Sequence, residues 1–182
     1  MQVTRILFLR AVNLGRTNKV PMKLLVQALE AAGLGSPSYL LQSGNVVVAE
    51  PTLPEEELER ATERLILVEF GVSTVAIGRT PQQLAGILEM NPYTPPEGGS
   101  VHVAFLAGSP RADLRSSLQE ESFSDAHLTF AEREVFIRYG GSTHTSKLSN
   151  ALIERRLKVA STSRNVRTLE RLLALPEVSG AL

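Results

Sequence analysis

Asn13-Leu14-Gly15-Arg16-Thr17-Asn18-Lys19 is a polar loop between an apolar run and a proline-opened helix, and its residue types suit anion binding. Backbone N–H groups at a loop-to-helix junction can cradle a phosphate or carboxylate, helped by the helix dipole. Arg10 and Lys19 would add charge, and Asn13 and Asn18 side-chain amides. The same residues also suit a capped turn with solvated charges, so both readings stand. The spacing is not that of a Gly-x-x-x-x-Gly-Lys-Ser/Thr phosphate loop. A second segment, Ser146-Lys147-Leu148-Ser149-Asn150, follows Gly140-Gly141-Ser142-Thr143-His144-Thr145. Thr145 or Ser146 suits a helix N-cap. Lys147 in that first turn would oppose the dipole unless it met an anion. In Thr162-Ser163-Arg164-Asn165 a cap candidate again sits beside a cation. Arg10, Asn13, Asn18, Lys19 and Lys147 therefore form one candidate anion-binding set. Gln42, Asn45, Arg79, Arg164 and Asn165 form a second cluster of hydrogen-bonding and cationic groups. In that cluster Gln42-Ser43-Gly44-Asn45 reads first as a tight hairpin turn, with Gln42 and Asn45 as orienting hydrogen-bond donors the alternative.

Other chemistries have less to work with. His102, His127 and His144 show no metal-ligand spacing, and no metal is expected. His144, beside Ser142, Ser146 and Lys147, is the histidine suited to carry a proton, or else a solvated loop imidazole. No Gly-x-Ser-x-Gly elbow is present, no catalytic set can be singled out, and no cofactor is expected. The chain has no cysteine, which excludes disulfides, thiolate catalysis and sulfur-ligated metals.

The elements that must position these residues belong to an ordinary globular protein. The 182 residues are 43% hydrophobic, and 19 Lys and Arg balance 19 Asp and Glu, so no global field draws polyanions. The neutrality is nevertheless a sum of unlike segments. Residues 1–25 carry +5, residues 50–69 carry −5 and residues 138–171 carry +6, so the basic segments coincide with the polar loops. The N-terminal run Ile6-Leu7-Phe8-Leu9 is too short for a signal segment, and no apolar stretch suits a membrane helix. A cytoplasmic protein with no membrane partner is expected.

Hydrophobic periodicity predicts strands at 3–9, 38–41, 46–49 and 72–77. Helices are expected from Pro21 to Gly33 and from Pro54 to Phe70, the second with a stripe of Leu58, Ala61, Leu65 and Val68. After a helix at 81–90 comes a Pro/Gly linker at 91–100. Strands at 101–106, 127–131, 135–139 and 158–162 then alternate with helices at 113–118, 146–157 and 166–175. The helix at 146–157 carries Leu148, Ala151, Leu152 and Arg155 at helical spacing. The expected architecture is α+β: two ferredoxin-like β-α-β-β-α-β halves, 1–90 and 101–182, joined by the linker and hinting at duplication.

The motifs together resemble one family, the domain of unknown function 1697. Its N-terminal Leu-Arg-Gly-Ile-Asn-Val-Gly-Gly-x-Asn-Lys-Val is matched by Leu9-Arg10-Ala11-Val12-Asn13-Leu14-Gly15-Arg16-Thr17-Asn18-Lys19-Val20. Its Gln-Ser-Gly-Asn stands at 42–45, Arg-Thr at 79–80 and Asn-Pro at 91–92. Its Ser-Lys-Leu-Thr-Asn stands at 146–150, and Thr-Thr-Arg-Asn-Trp-Asn-Thr at 162–168. Ala11 and Arg16 replace glycines, and Val166 and Arg167 replace Trp and Asn. The resemblance implies a two-part α+β fold and no assigned activity.

Taking the first and third strands as parallel puts the Asn13–Lys19 loop at one sheet end and the Ser43–Asn45 hairpin and Arg79 at the other. The Gly140–Lys147 loop would then match the Asn13 end. On that basis Arg10, Asn13, Lys19 and Lys147 are expected to meet in an anion-binding cleft between the halves, taking a phosphate-bearing small molecule or nucleic acid. The residues at 46–49 lack the aromatic rings of an RNA-binding sheet, which leaves phosphate contact as the mode. The alternatives are an enzyme acting on a phosphorylated or acyl-phosphate small molecule, and a non-catalytic structural or interaction protein. Oligomeric state is not legible.

Overall fold

The computed structural model describes residues 3–182; Met1 and Gln2, the start of the N-terminal run, lie outside it. The first half follows the expected order: β1 (Thr4–Leu9), α1 (Met22–Ala31), β2 (Ser36–Leu40), β3 (Asn45–Ala49), α2 (Glu55–Phe70) and β4 (Ala76–Arg79). These strands form an antiparallel sheet in the order β2-β3-β1-β4. After α3 (Pro81–Glu89) the pattern returns as β5 (Ser100–Leu106), α4 (Ala112–Gln119), β6 (Ala126–Phe130), β7 (Glu134–Tyr139), α5 (Asn150–Leu157) and β8 (Ser161–Asn165). The second sheet runs β6-β7-β5-β8, the same order. α6 (Val166–Leu173) and α7 (Pro176–Ser179) close the chain. The fold is α+β with two ferredoxin-like sheets. No helix among the described residues is long and apolar enough to cross a membrane.

The chain divides into two compact units, Met1–Gly86 with Arg171–Leu182, and Ile87–Glu170. The tail groups with the first unit through α7: Thr4 Oγ1 donates to Glu177 O at 3.0 Å, and Ser38 Oγ to Glu177 Oε1 at 2.6 Å. In the first unit, alternate strand residues such as Leu7, Leu9, Val46 and Val48 pack on Leu25, Leu29, Leu58 and Ile66 of the helices. In the second, Ala104, Leu106, Val135 and Ile137 pack on Leu118, Ile153 and Leu157.

Several boundaries move for physical reasons. Val68 is 79% exposed; α2 buries Leu58, Thr62 and Ile66, with Ala61 and Leu65 of the expected stripe partly buried against the same core. β4 begins at Ala76 rather than residue 72, because its register ends opposite Leu9, where β1 ends. α5 begins at Asn150 rather than 146, because Ser149 is its N-cap, with Oγ accepting from Leu152 N at 3.2 Å. Ala151 is accordingly exposed, and Ile153 and Leu157 take the buried face. Lys158 ends α5 in the left-handed region (φ 57), so β8 starts three residues later than expected.

β4 and β8 are edge strands, whose outward amides need partners. α2 supplies them for β4: Ala76 N donates to Glu63 Oε1 at 2.9 Å and Gly78 N to Glu59 Oε1 at 2.5 Å. A Cβ on residue 78 would sit 2.8 Å from that same Glu59 oxygen, so a side chain there would push the Glu59 carboxylate off the amide. α5 repeats the arrangement for β8: Ser161 N donates to Glu154 Oε1 at 2.8 Å, and Asn150 Oδ1 accepts from the Ser161 and Ser163 hydroxyls. Glu63→Ala and Glu154→Ala should each cost about 1–3 kcal/mol, the range for an unpaired amide that has lost a charged acceptor. Urea denaturation should show a lowered midpoint at unchanged slope, while the solvent-facing change Glu56→Ala stays within about 0.5 kcal/mol.

Candidate functional site

The Asn13–Lys19 loop is closed by its own side chains. Asn13 Nδ2 donates to Val20 O at 2.8 Å and to Gln42 O at 2.7 Å, while Asn13 Oδ1 accepts from Val20 N at 2.9 Å. Asn18 Nδ2 donates to Ala11 O at 3.0 Å, and Lys19 Nζ to Gly15 O at 2.7 Å. Ala11, Asn13, Gly15 and Asn18 all have φ between 50° and 58°, a region that Asn tolerates better than most residues. The asparagines are thus occupied in holding the turn. Arg10 is anchored through its backbone, with N donating to Val75 O and O accepting from Thr74 Oγ1.

The hairpin lies at this same end of the sheet, contrary to the expectation from parallel first and third strands. β1 and β3 are antiparallel, and Phe8 pairs with Asn45. Leu9 N therefore donates to Gly44 O at 2.8 Å, and a Cβ on Gly44 (φ 81) would fall 2.6 Å from Val12 Cγ2. Asn45 is fully buried, with Nδ2 donating to Leu40 O and Ser43 Oγ, so it serves the turn rather than a ligand. Arg79 pairs with Ile6 at the opposite end. In the second sheet Tyr139 pairs with Ser100 at the start of β5, so the Gly140–Lys147 loop leaves the end that corresponds to Arg79, not to Asn13. The premise that brought Lys19 and Lys147 into one cleft is thereby overturned.

Arg79 and Arg164 hold equivalent positions on β4 and β8, and both are buried. Arg79 Nη1 donates to Gly78 O, and Arg164 Nη1 to Thr162 Oγ1 at 2.7 Å and Ser163 O at 2.9 Å. Burial brings the Arg164 guanidinium down to about 10, which leaves it charged at neutral pH. The strand expected to end at 162 runs on to Asn165, and the arginine read there as a cation beside a cap is an internal group. Asn165 follows as a cap, its Oδ1 accepting from Arg167 N at 2.9 Å.

Four of the five residues in Ser146–Asn150 likewise have internal partners. Ser146 Oγ accepts from Leu148 N, buried Leu148 accepts from the Tyr139 hydroxyl at 2.8 Å, Ser149 caps α5, and Asn150 holds Ser161. Lys147 alone is left over: exposed, and with no side-chain partner among the described residues. Since α5 starts at Asn150, three residues beyond Lys147, that lysine does not oppose a dipole from inside a first turn. Lys147 lines a groove of about 610 Å³ with Glu121, Ser122, Phe123, Ser124, Leu152 and Arg155. Glu121 is paired with Arg156, so Lys147 and Arg155 leave the groove with an unbalanced positive charge. Sequence reasoning missed Arg155, Ser122 and Ser124; Arg155 reads there as part of a helix stripe, and only folding α5 beside residues 121–124 brings it to Lys147. His144 is exposed, with its backbone N donating to Ser142 Oγ, and stands outside this lining.

His102 on β5 is a second group whose protonation burial displaces. Its ring meets Tyr139 edge-on at 5.4 Å, its Nε2 lies 3.4 Å from Asn165 Nδ2, and burial pushes it down to about 4. The Tyr139 hydroxyl is pushed up to about 12, first by burial and then by Asp125. No three His, Cys, Asp or Glu side chains gather to hold a metal among the described residues.

The family whose model matches residues 2–136 is described as a protein of unknown function, DUF1697. No curated protein matches the chain. Among solved structures, a conserved bacterial protein from Streptococcus pneumoniae is similar over 94% of this chain and 97% of its own, with 19% identity and a TM-score of 0.73. That likeness concerns the fold.

Asn13→Ala should cost about 2–4 kcal/mol, through three lost side-chain contacts and a left-handed alanine; Lys19→Ala should stay within about 0.5 kcal/mol. Both are read by urea denaturation. For His102 the unfolded ring, near 6.5, binds more protons than the folded one, near 4. Stability should therefore fall as pH drops from about 6.5 to about 4 and level off below, by roughly 3 kcal/mol from this group. Denaturation midpoints across that range should lose this component of slope in His102→Phe.

Proposed function

The chain belongs to the DUF1697 family of proteins of unknown function, and from that premise we propose that it binds a phosphate-bearing small molecule in the Lys147 groove of its second unit. The observation that carries this reading is that Lys147 and Arg155, whose side chains have no partner among the described residues, line the same groove. Arg155 offers a planar fork suited to two phosphate oxygens, and Lys147 a mobile point charge. Ser122 and Ser124 are exposed hydroxyls able to donate to remaining oxygens, while Phe123 and Leu152 offer apolar surface to the uncharged part of the ligand. The groove volume lies within the range of small-molecule sites.

A small ligand is favoured over a nucleic acid that spreads on the sheet. Every residue of β3 is buried, so that strand presents no open face for bases.

Thermal denaturation against inorganic phosphate, nucleoside phosphates, phosphorylated metabolites and short oligonucleotides tests the reading. A binder at 100 times its dissociation constant should add about 2.7 kcal/mol of stability. Lys147→Ala and Arg155→Ala should each weaken binding roughly tenfold, with the unliganded melting point unchanged. Stabilisation by no phosphate-bearing compound, or stabilisation untouched by the double substitution, overturns the proposal. Binding confined to oligonucleotides, collapsing between about 50 and 200 mM salt, replaces it with a polyanion surface.

A further inference from the structure

A second pocket in the Ile87–Glu170 unit has walls of a different chemistry. It holds about 200 Å³ and is bounded by Asn91, Pro95, Gly99-Ser100-Val101, Asn165-Val166-Arg167 and Glu170. That exceeds the roughly 150 Å³ cavity known to hold a benzene-sized guest. Its shape is set by residues with internal partners. Asn91 closes its own turn, donating to Tyr93 O at 3.0 Å and accepting from Tyr93 N at 3.2 Å. Asn165 caps α6 and approaches His102. Gly99 leaves no room for a side chain, because a Cβ there would overlap the carbonyl oxygen of Tyr139 and the ring of Pro96.

Three polar groups of the lining remain unpartnered among the described residues: the Arg167 guanidinium, the Glu170 carboxylate and the Ser100 hydroxyl. Arg167 and Glu170 stand three apart on α6, so they are neighbours on one helix face, with Cβ atoms about 5–6 Å apart. They make no ion pair with each other. Val101 and Val166 add apolar surface. An anion alone would meet the Glu170 carboxylate, and a cation alone the Arg167 guanidinium. A molecule carrying both charged groups on one carbon atom meets complementary groups on both sides.

We propose that this pocket binds a small zwitterion of the α-amino-acid class, its carboxylate on Arg167 and Ser100, its ammonium on Glu170 and its side chain against Val101 and Val166. The site is separate from the Lys147 groove, shares no residue with it and does not depend on its ligand.

The test uses the full chain, amide NMR and leucine as probe, with two analogues that each keep one charge: 4-methylpentanoate and 3-methylbutylamine. Leucine should shift residues 99–101 and 165–170 saturably in the millimolar range. Each analogue should bind at least roughly tenfold more weakly, as expected when one charged contact is lost. Arg167→Ala and Glu170→Gln should each weaken leucine by the same factor, with dispersed spectra showing that the exposed changes leave the fold intact. Glu170→Gln should leave 4-methylpentanoate no weaker, a result that mere structural damage does not produce. Absence of saturable shifts with leucine overturns the proposal. So does 4-methylpentanoate binding as well as leucine, which marks a simple anion site, or leucine binding unchanged in Glu170→Gln.

Discussion

Each sheet is organised by its central strand, antiparallel to both neighbours. β1 pairs with β3 and β4, and β5 with β7 and β8. This one constraint decides which loops can meet. The end of β1 faces the start of β3, so the Asn13–Lys19 loop and the 41–44 hairpin are neighbours, stitched by Asn13 and by the contact of Gly44 with Val12 and Leu9. The same constraint sends Arg79 and Arg164 to the other end, beside the starts of β1 and β5. No local preference could override it, since shifting a strand by one residue would turn its core side chains to the other face.

The two units repeat more than topology. A glutamate on the helix before the last strand accepts from that strand's first amide in both, Glu63 to Ala76 and Glu154 to Ser161. One turn earlier on each helix, Glu59 and Asn150 reach the same strands. Both strands carry a buried arginine at the equivalent position. Where Glu59 accepts from the Gly78 amide in the first unit, Asn150 in the second accepts from the hydroxyls of Ser161 and Ser163, so the helix holds the edge strand through side chains instead. Where the sequence echo is faint, the need to partner an edge strand has kept the geometry.

The motif residues divide by what they touch. Asn13, Asn18, Asn45, Ser149, Asn150 and Asn165 are turned inward on backbone groups, where they close turns, cap helices and pin strands. Such polar residues in a sequence look like a ligand shell because both tasks need short side chains with donors and acceptors. The cations sort differently. Arg79 and Arg164 are internal, whereas the side-chain charges of Lys147, Arg155 and Arg167 have no partner among the described residues and line two pockets of the second unit.

Hydrophobic periodicity and turn chemistry by themselves determined the α+β class, the doubled β-α-β-β-α-β order and most element positions, because burying one face of each element leaves a period in the chain. The strand ends and the start of α5 were less legible. They depend on where a partner strand stops, as at Leu9, or on which of several serines caps, as at Ser149. The relation between sheet ends followed only from strand pairing, which joins residues far apart in sequence. Tertiary structure alone decided that Asn13 belongs to the hairpin, that Arg164 is internal and that Arg155 joins Lys147. A side chain's composition states what it can bond, but its partner is whatever long-range pairing brings within about 3 Å of it.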